Sequence, residues 1–144
     1  MSRIQLALNV SNLDSAVDFY SKLFGSEPAK RHPGYANFAI AEPPLKLVLM
    51  ENPNATEKLN HLGIEVESSE LVTLASDRLQ QKDLSVTPEM QTTCCYAVQD
   101  KIWTKDPDGA NWEVYTVLAD SNTFGEFRQL SSELPQTASP VCCS

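Results

Sequence analysis

Residues 4 to 10 alternate strictly, with Ile4, Leu6, Leu8 and Val10 on one side and Gln5, Ala7 and Asn9 on the other. Period-two alternation predicts a half-buried β-strand. Directly afterwards the period changes. Leu13, Ala16, Val17, Tyr20, Leu23 and Phe24 recur every three or four residues, behind Ser11 or Asn12 as a cap and ahead of Gly25 as a terminator. That pattern predicts an amphipathic helix. A loop holding Pro28 and Pro33-Gly34 leads into two apolar runs, Tyr35 to Ala41 and Leu45 to Met50, split by Glu42-Pro43-Pro44. These read as paired strands.

The pattern then starts again. Gln5-Leu6-Ala7-Leu8-Asn9-Val10 lines up with His61-Leu62-Gly63-Ile64-Glu65-Val66, and Ser68-Ser69-Glu70 opens a second helix with Leu71, Leu74, Ala75 and Leu79 on one side. Further strands are expected at Leu84 to Thr87, around Tyr96 to Thr104, and at Asn111 to Leu118, the last two joined by an Asp106-Pro107-Asp108-Gly109 turn. The predicted class is α+β: two βαβββ modules, about 1–52 and 60–118, forming a single domain with a cupped mixed sheet. A pseudo-twofold relation between the modules makes Gln5 and His61 equivalent. Residues 119–144, rich in Ser, Thr, Gln, Pro and acidic side chains and ending in Cys142-Cys143-Ser144, are expected to be a flexible tail.

Composition narrows the function classes. A chain of 144 residues makes one domain with a real core. A net charge of -8 and scattered Lys and Arg oppose binding to a phosphate backbone, so nucleic acid is not an expected partner. No apolar run approaches the roughly 20 residues needed to span a bilayer. The N-terminus enters the alternating pattern without an apolar leader. The four cysteines come as two adjacent pairs, Cys94-Cys95 and Cys142-Cys143, which is no framework for stapling a secreted fold. A cytoplasmic protein without a membrane partner, monomer or homodimer, is expected.

Two groups carry candidate chemistry. Neighbouring Cα atoms lie about 3.8 Å apart, closer than the usual separation across a disulfide, so a bond between Cys94 and Cys95 would be strained. Free thiols are expected. On a regular strand their side chains would diverge, so both sulfurs converge on one atom only in a loop or turn, which the Thr-rich approach Thr92-Thr93 suits. Two convergent thiolates select a thiophilic centre such as trivalent arsenic, Cd(II), Zn(II) or Hg(II).

The second group consists of Gln5, His61 and Glu113, each on the face of its strand opposite the apolar neighbours. On a shared concave face these three would offer an amide oxygen, an imidazole and a carboxylate to a metal. Taken singly, an exposed Gln, a hydrogen-bonded His and an exposed Glu are the ordinary readings. The register between the modules favours the metal site.

With these residues in view the chain resembles the vicinal oxygen chelate superfamily of glyoxalase I and the extradiol dioxygenases over roughly residues 2 to 118. More narrowly, Arg3 to Val10, Pro33-Gly34-Tyr35-Ala36-Asn37-Phe38, Leu59-Asn60-His61-Leu62-Gly63, Thr92-Thr93-Cys94-Cys95 and Trp112-Glu113-Val114-Tyr115 resemble the carbon-arsenic lyases, or cadmium-induced proteins. The resemblance implies an Fe(II)-dependent dioxygenase that uses O₂ to cleave trivalent organoarsenicals, such as methylarsenite or reduced aromatic arsenicals, and releases arsenite. It implies Gln5, His61 and Glu113 as metal ligands and Cys94 and Cys95 as the substrate-binding, catalytic thiols. Some members have His where Gln5 stands. Glyoxalase I takes a fourth ligand from the strand matching Leu45 to Met50, where Lys46 and Val48 stand here; neither suits a metal. An extradiol-type dioxygenase and a non-enzymatic thiol binder of Cd(II) or As(III) are the alternatives.

Overall fold

The computed structural model describes residues 2–122, organised as two compact units that divide after Glu65. The first contains β1 (Arg3–Val10), α1 (Leu13–Phe24), β2 (Lys30–His32), β3 (Tyr35–Ile40), β4 (Leu45–Glu51) and β5 (Leu59–Glu65). Its strands lie in the order β2-β3-β4-β1-β5, with β1 parallel to β4 and every other pairing antiparallel. Parallel neighbours need a long crossover, which α1 with β2 and β3 supplies.

The helix starts where Asn12 takes the cap: its Oδ1 accepts from the Ser15 N–H at 2.9 Å. It ends at Gly25, whose φ of 67° needs no Cβ to be accommodated. Leu13 and Val17 pack on Ala36, Phe38, Ile40, Leu47 and Leu49, joined by Leu6, Leu8 and Val10 from β1. Leu6, Leu8 and Val10 of the opening alternation thus face this core, while Ile4 is exposed. Leu23, expected on the same helix face, is exposed. The short β2 gives no apolar signal; it forms because Lys30 to His32 extend the ladder against Asn37 to Tyr35.

The second unit contains α2 (Ser69–Gln81), β6 (Thr87–Cys94), β7 (Ala97–Lys105) and β8 (Asn111–Asp120), with strand order β8-β7-β6. In chain order each module reads as strand, helix and three strands, as the repeat predicts. Two local expectations change. The strand placed at Leu84 to Thr87 instead begins at Thr87 and takes in the Thr-rich approach, because that stretch pairs with β7 from Thr87↔Trp103 to Cys94↔Ala97. The buried side of α2 is Val72 and Ala75, while Leu71 and Leu74 are exposed.

Asp106 shapes the β7–β8 turn as expected. Its Oδ1 accepts from the N–H groups of Asp108 and Ala110, both at 2.9 Å. The last strand runs two residues past Leu118, to Asp120. The remainder of the predicted tail, with Cys142 and Cys143, lies outside the described residues. Among the described residues, no helix is long and apolar enough to cross a membrane.

Candidate active site

The β6–β7 hairpin brings the cysteine pair to its tip. Cys94 is the last residue of β6 and pairs with Ala97, leaving Cys95 and Tyr96 as a two-residue connection. Their φ angles are 56° and 64°, the left-handed pair that a type I′ hairpin turn requires. Asn and Gly normally take such positions; a Cys and a Tyr there carry steric strain that the ladder on either side must hold. The turn defeats the divergence of a regular strand, and the two sulfurs lie 3.3 Å apart.

Cys95 is a free thiol. Cys94 is engaged in a disulfide, which corrects the expectation of two free thiols. The strain argument excludes a bond between the neighbours, and the two are not bonded to each other. It does not protect Cys94 from another thiol. Trp103 of β7 shares a buried cluster with Cys94, which Cys95 joins at its edge, and its indole N–H donates to Glu89 at 3.3 Å.

One face of the β7–β8 pair is polar and buried. Lys101 lies across from Tyr115, and Trp103 across from Glu113. The Lys101 ammonium sits 2.8 Å from Glu113 Oε1, with side-chain exposures of 0% and 3%. It also lies 5.4 Å from the centre of the Trp103 ring and 5.9 Å from that of Tyr115, within cation–π range. Glu113 is thus not the ordinary exposed strand carboxylate. Gln99, next but one along the same face from Lys101, is also buried and donates from Nε2 to the Cys94 carbonyl at 3.0 Å.

In the first unit, β1 and β5 bring Gln5 and His61 together, with Gln5 across from Gly63 and His61 across from Ala7. The Gln5 and His61 Nε2 atoms are 3.2 Å apart, and the two side chains are 4% and 2% exposed. The polar side of the opening strand is therefore buried at Gln5, while its apolar Ile4 is exposed.

A chain of hydrogen bonds fixes the tautomer of His61. The Glu57 carbonyl can only accept, so the Asn9 amide nitrogen donates to it at 3.0 Å. That leaves Asn9 Oδ1 to accept from Asn60 Nδ2 at 3.1 Å, and Asn60 Oδ1 to accept from His61 Nδ1–H at 2.7 Å. His61 Nε2 therefore carries a lone pair, the form that ligates a metal. Gln5 points Nε2 at that lone pair; ligation through its oxygen requires the opposite amide orientation.

The donor chemistry of Gln5, His61 and Glu113, one nitrogen and two oxygens, fits a borderline divalent ion. Among the described residues, no group of three or more His, Cys, Asp and Glu side chains is gathered to hold a metal; an amide such as Gln5 falls outside that set. Lys46 pairs directly with Gln5, and Val48 with Ala7, so the β4 positions flanking Gln5 offer no further donor.

Asn9, Asn60 and Gln99, which hydrogen-bond around His61 and Cys94, are neighbours of the candidate residues that sequence reasoning passed over. Asn9 was visible on the polar side of the first strand, and Asn60 is adjacent to His61, a usual place for a residue that orients a ligand. Gln99 gave no signal of its own.

The chain matches the Glyoxalase/Bleomycin resistance protein/Dioxygenase superfamily over residues 3–114. It is 57% identical over 143 residues to the cadmium-induced protein CadI of Mycobacterium tuberculosis, covering 99% of this chain and 93% of that protein. It is 55% identical over 127 residues to a trivalent organoarsenical cleaving enzyme of Thermomonospora curvata, covering 88% of this chain and 84% of that one. In fold it resembles the Mn(II)-bound glyoxalase of Novosphingobium aromaticivorans, with a TM-score of 0.60 at 19% identity over 89% of this chain and 44% of the other. The chain therefore belongs to the Glyoxalase/Bleomycin resistance protein/Dioxygenase superfamily, and within it to the group of cadmium-induced and organoarsenical-cleaving proteins.

Proposed function

We propose that this protein is an enzyme that cleaves the carbon–arsenic bond of trivalent organoarsenicals, such as methylarsenite and reduced aromatic arsenicals, with Fe(II) as cofactor and O₂ as co-substrate, releasing arsenite. The observation that carries the proposal is the spacing of the two sulfurs. Sulfurs 3.3 Å apart, each about 2.3 Å from a shared soft atom, as in metal thiolates, subtend close to a right angle there. Pyramidal trivalent arsenic has bond angles of that kind. Two-coordinate mercury, which is linear, does not. The 55% identity to a protein named as a trivalent organoarsenical cleaving enzyme supports the same reading.

In this reading Cys94 and Cys95 replace two oxygen ligands of arsenic and are the catalytic, substrate-binding thiols. Trp103, clustered with Cys94, gives the organic substituent an apolar wall. Gln5, His61 and Glu113 are the ligands of Fe(II), which when bound supplies oxygen activation and the redox chemistry. The protein contributes orientation of the reacting bond. Lys101 Nζ stands 2.8 Å from the Glu113 carboxylate and steadies that side chain in place. The clamp needs both thiols, so the Cys94 disulfide must be reduced first.

A second reading is a thiol binder that sequesters Cd(II) or As(III) without turnover; the relatives named as cadmium-induced proteins favour it. One experiment separates the two. The reduced protein is loaded anaerobically with Fe(II), given methylarsenite and then O₂, and arsenite is quantified by chromatography against metal-free and oxygen-free controls. Arsenite formed only with both iron and O₂ establishes the lyase. Bound arsenic without conversion leaves the sequestering protein. Turnover of a catechol without any need for Cys94 and Cys95 would make it an extradiol-type enzyme.

A further inference from the structure

Gln99 is 4% exposed, and its amide is only half used. Nε2 donates to the Cys94 carbonyl at 3.0 Å, while Oε1 is buried without a hydrogen-bond partner among the described residues. Turning the amide over cannot relieve this, because it would set oxygen against the carbonyl oxygen of Cys94. The orphaned acceptor is therefore held in place by the same backbone that carries the cysteine pair. On β7 it alternates onto the face shared by Lys101 and Trp103, and Trp103 shares a buried cluster with Cys94 that Cys95 joins. A buried acceptor left unpaired costs its full desolvation, and such groups commonly mark a position that a ligand completes.

We propose that Gln99 is a substrate-binding residue whose Oε1 accepts a hydrogen bond from a hydroxyl group on trivalent arsenic as it approaches the thiols. The inference rests on the arsenical reading above and adds to it a recognition element for the oxygen side of the substrate. The capture step conserves oxidation state. Methylarsenite, CH₃As(OH)₂, reacts with two thiols; two S–H and two As–O bonds break, two As–S and two O–H bonds form, and two waters leave. A hydroxyl held on Gln99 Oε1 orients arsenic for attack by the first thiolate. The second exchange then closes the chelate.

The test is stopped-flow capture of methylarsenite by the reduced full-length protein, followed through Trp103 emission. Alkylation of the same thiols by N-ethylmaleimide, which carries no arsenic hydroxyl, is measured in parallel. Gln99→Leu and the nearly isosteric Gln99→Met should slow capture by about tenfold, the size of one neutral hydrogen bond, and leave alkylation unchanged. Capture at the unaltered rate in either variant overturns the proposal. So does an equal fall in both reactions, which would make Gln99 only a support for the hairpin. Failure of the unaltered protein to capture methylarsenite while its thiols alkylate normally would instead refute the arsenical reading itself, and the role of Gln99 with it.

Discussion

The Lys101 ammonium lies 2.8 Å from a carboxylate oxygen of Glu113, and neither side chain is more than 3% exposed. Burying two charges costs hydration that only their mutual attraction recovers. Removing one partner strands the other. Lys101→Met and Glu113→Gln should each destabilise the protein by about 3–5 kcal/mol, seen as a lower urea midpoint. A double variant that replaces both with apolar residues should recover much of the loss. Additive losses would contradict the pairing.

The relay from the Glu57 carbonyl through Asn9 and Asn60 sets the proton on His61. Asn60→Leu removes the acceptor for Nδ1–H and should weaken Fe(II) binding by about 10- to 100-fold. Asn60→Asp keeps an acceptor there and should bind nearly as well as the unaltered protein. Anaerobic Fe(II) titration reads both. Equal affinity in the Leu variant would show that the relay does not orient the ring.

The two thiols should be separable from the metal. Cys94→Ser and Cys95→Ser should each abolish arsenite release, because one thiolate cannot chelate arsenic, while each still binds Fe(II). Turnover retained in both single variants would reject the clamp. Since Cys94 is engaged in a disulfide, protein handled without reductant should also be inactive and recover on treatment with a thiol or phosphine.

Asp100 holds two elements at once. One carboxylate oxygen accepts from the Gln91 N–H at 2.7 Å and the other from the Ser69 hydroxyl at 2.5 Å. Asp100→Ala leaves both donors without this partner and should cost about 1–3 kcal/mol, measured by thermal unfolding. Asp100→Asn, which retains one acceptor oxygen, should lose less.

Much of the fold was legible because period carries burial information. The alternation at residues 4 to 10 and the helical spacing from Leu13 gave β1 and α1, and the repeat at His61 gave the second module. Gln5, His61 and Glu113 stood out as polar residues within apolar strands, although their depth of burial could not be read from pattern. β6 was misread because its alternation is Thr, Glu and Gln rather than apolar, and its pairing with β7 is tertiary. Leu71 and Leu74 drew the α2 face away from Val72 because hydrophobicity was counted and neighbours were not visible. Lys101 and Gln99 are residue types that usually face water. Only the structure shows that both are buried, on the same side of β7.

The same Asp100 fixes where the cysteine arm is able to move. Gln91, at the bulge of β6, has a φ of 52°, and its N–H is strapped to the carboxylate that also ties down the first turn of α2. The lower half of the hairpin is thereby anchored to a helix, while beyond Gln91 the arm is held by its ladder to β7, from Thr92↔Gln99 to Cys94↔Ala97, and by the Tyr96 carbonyl, which accepts from the Ser121 N–H at 2.9 Å. Any opening that admits an arsenical is then a short-armed hinge motion pivoting near Thr92. Its small sweep would favour compact substituents on arsenic over bulky ones.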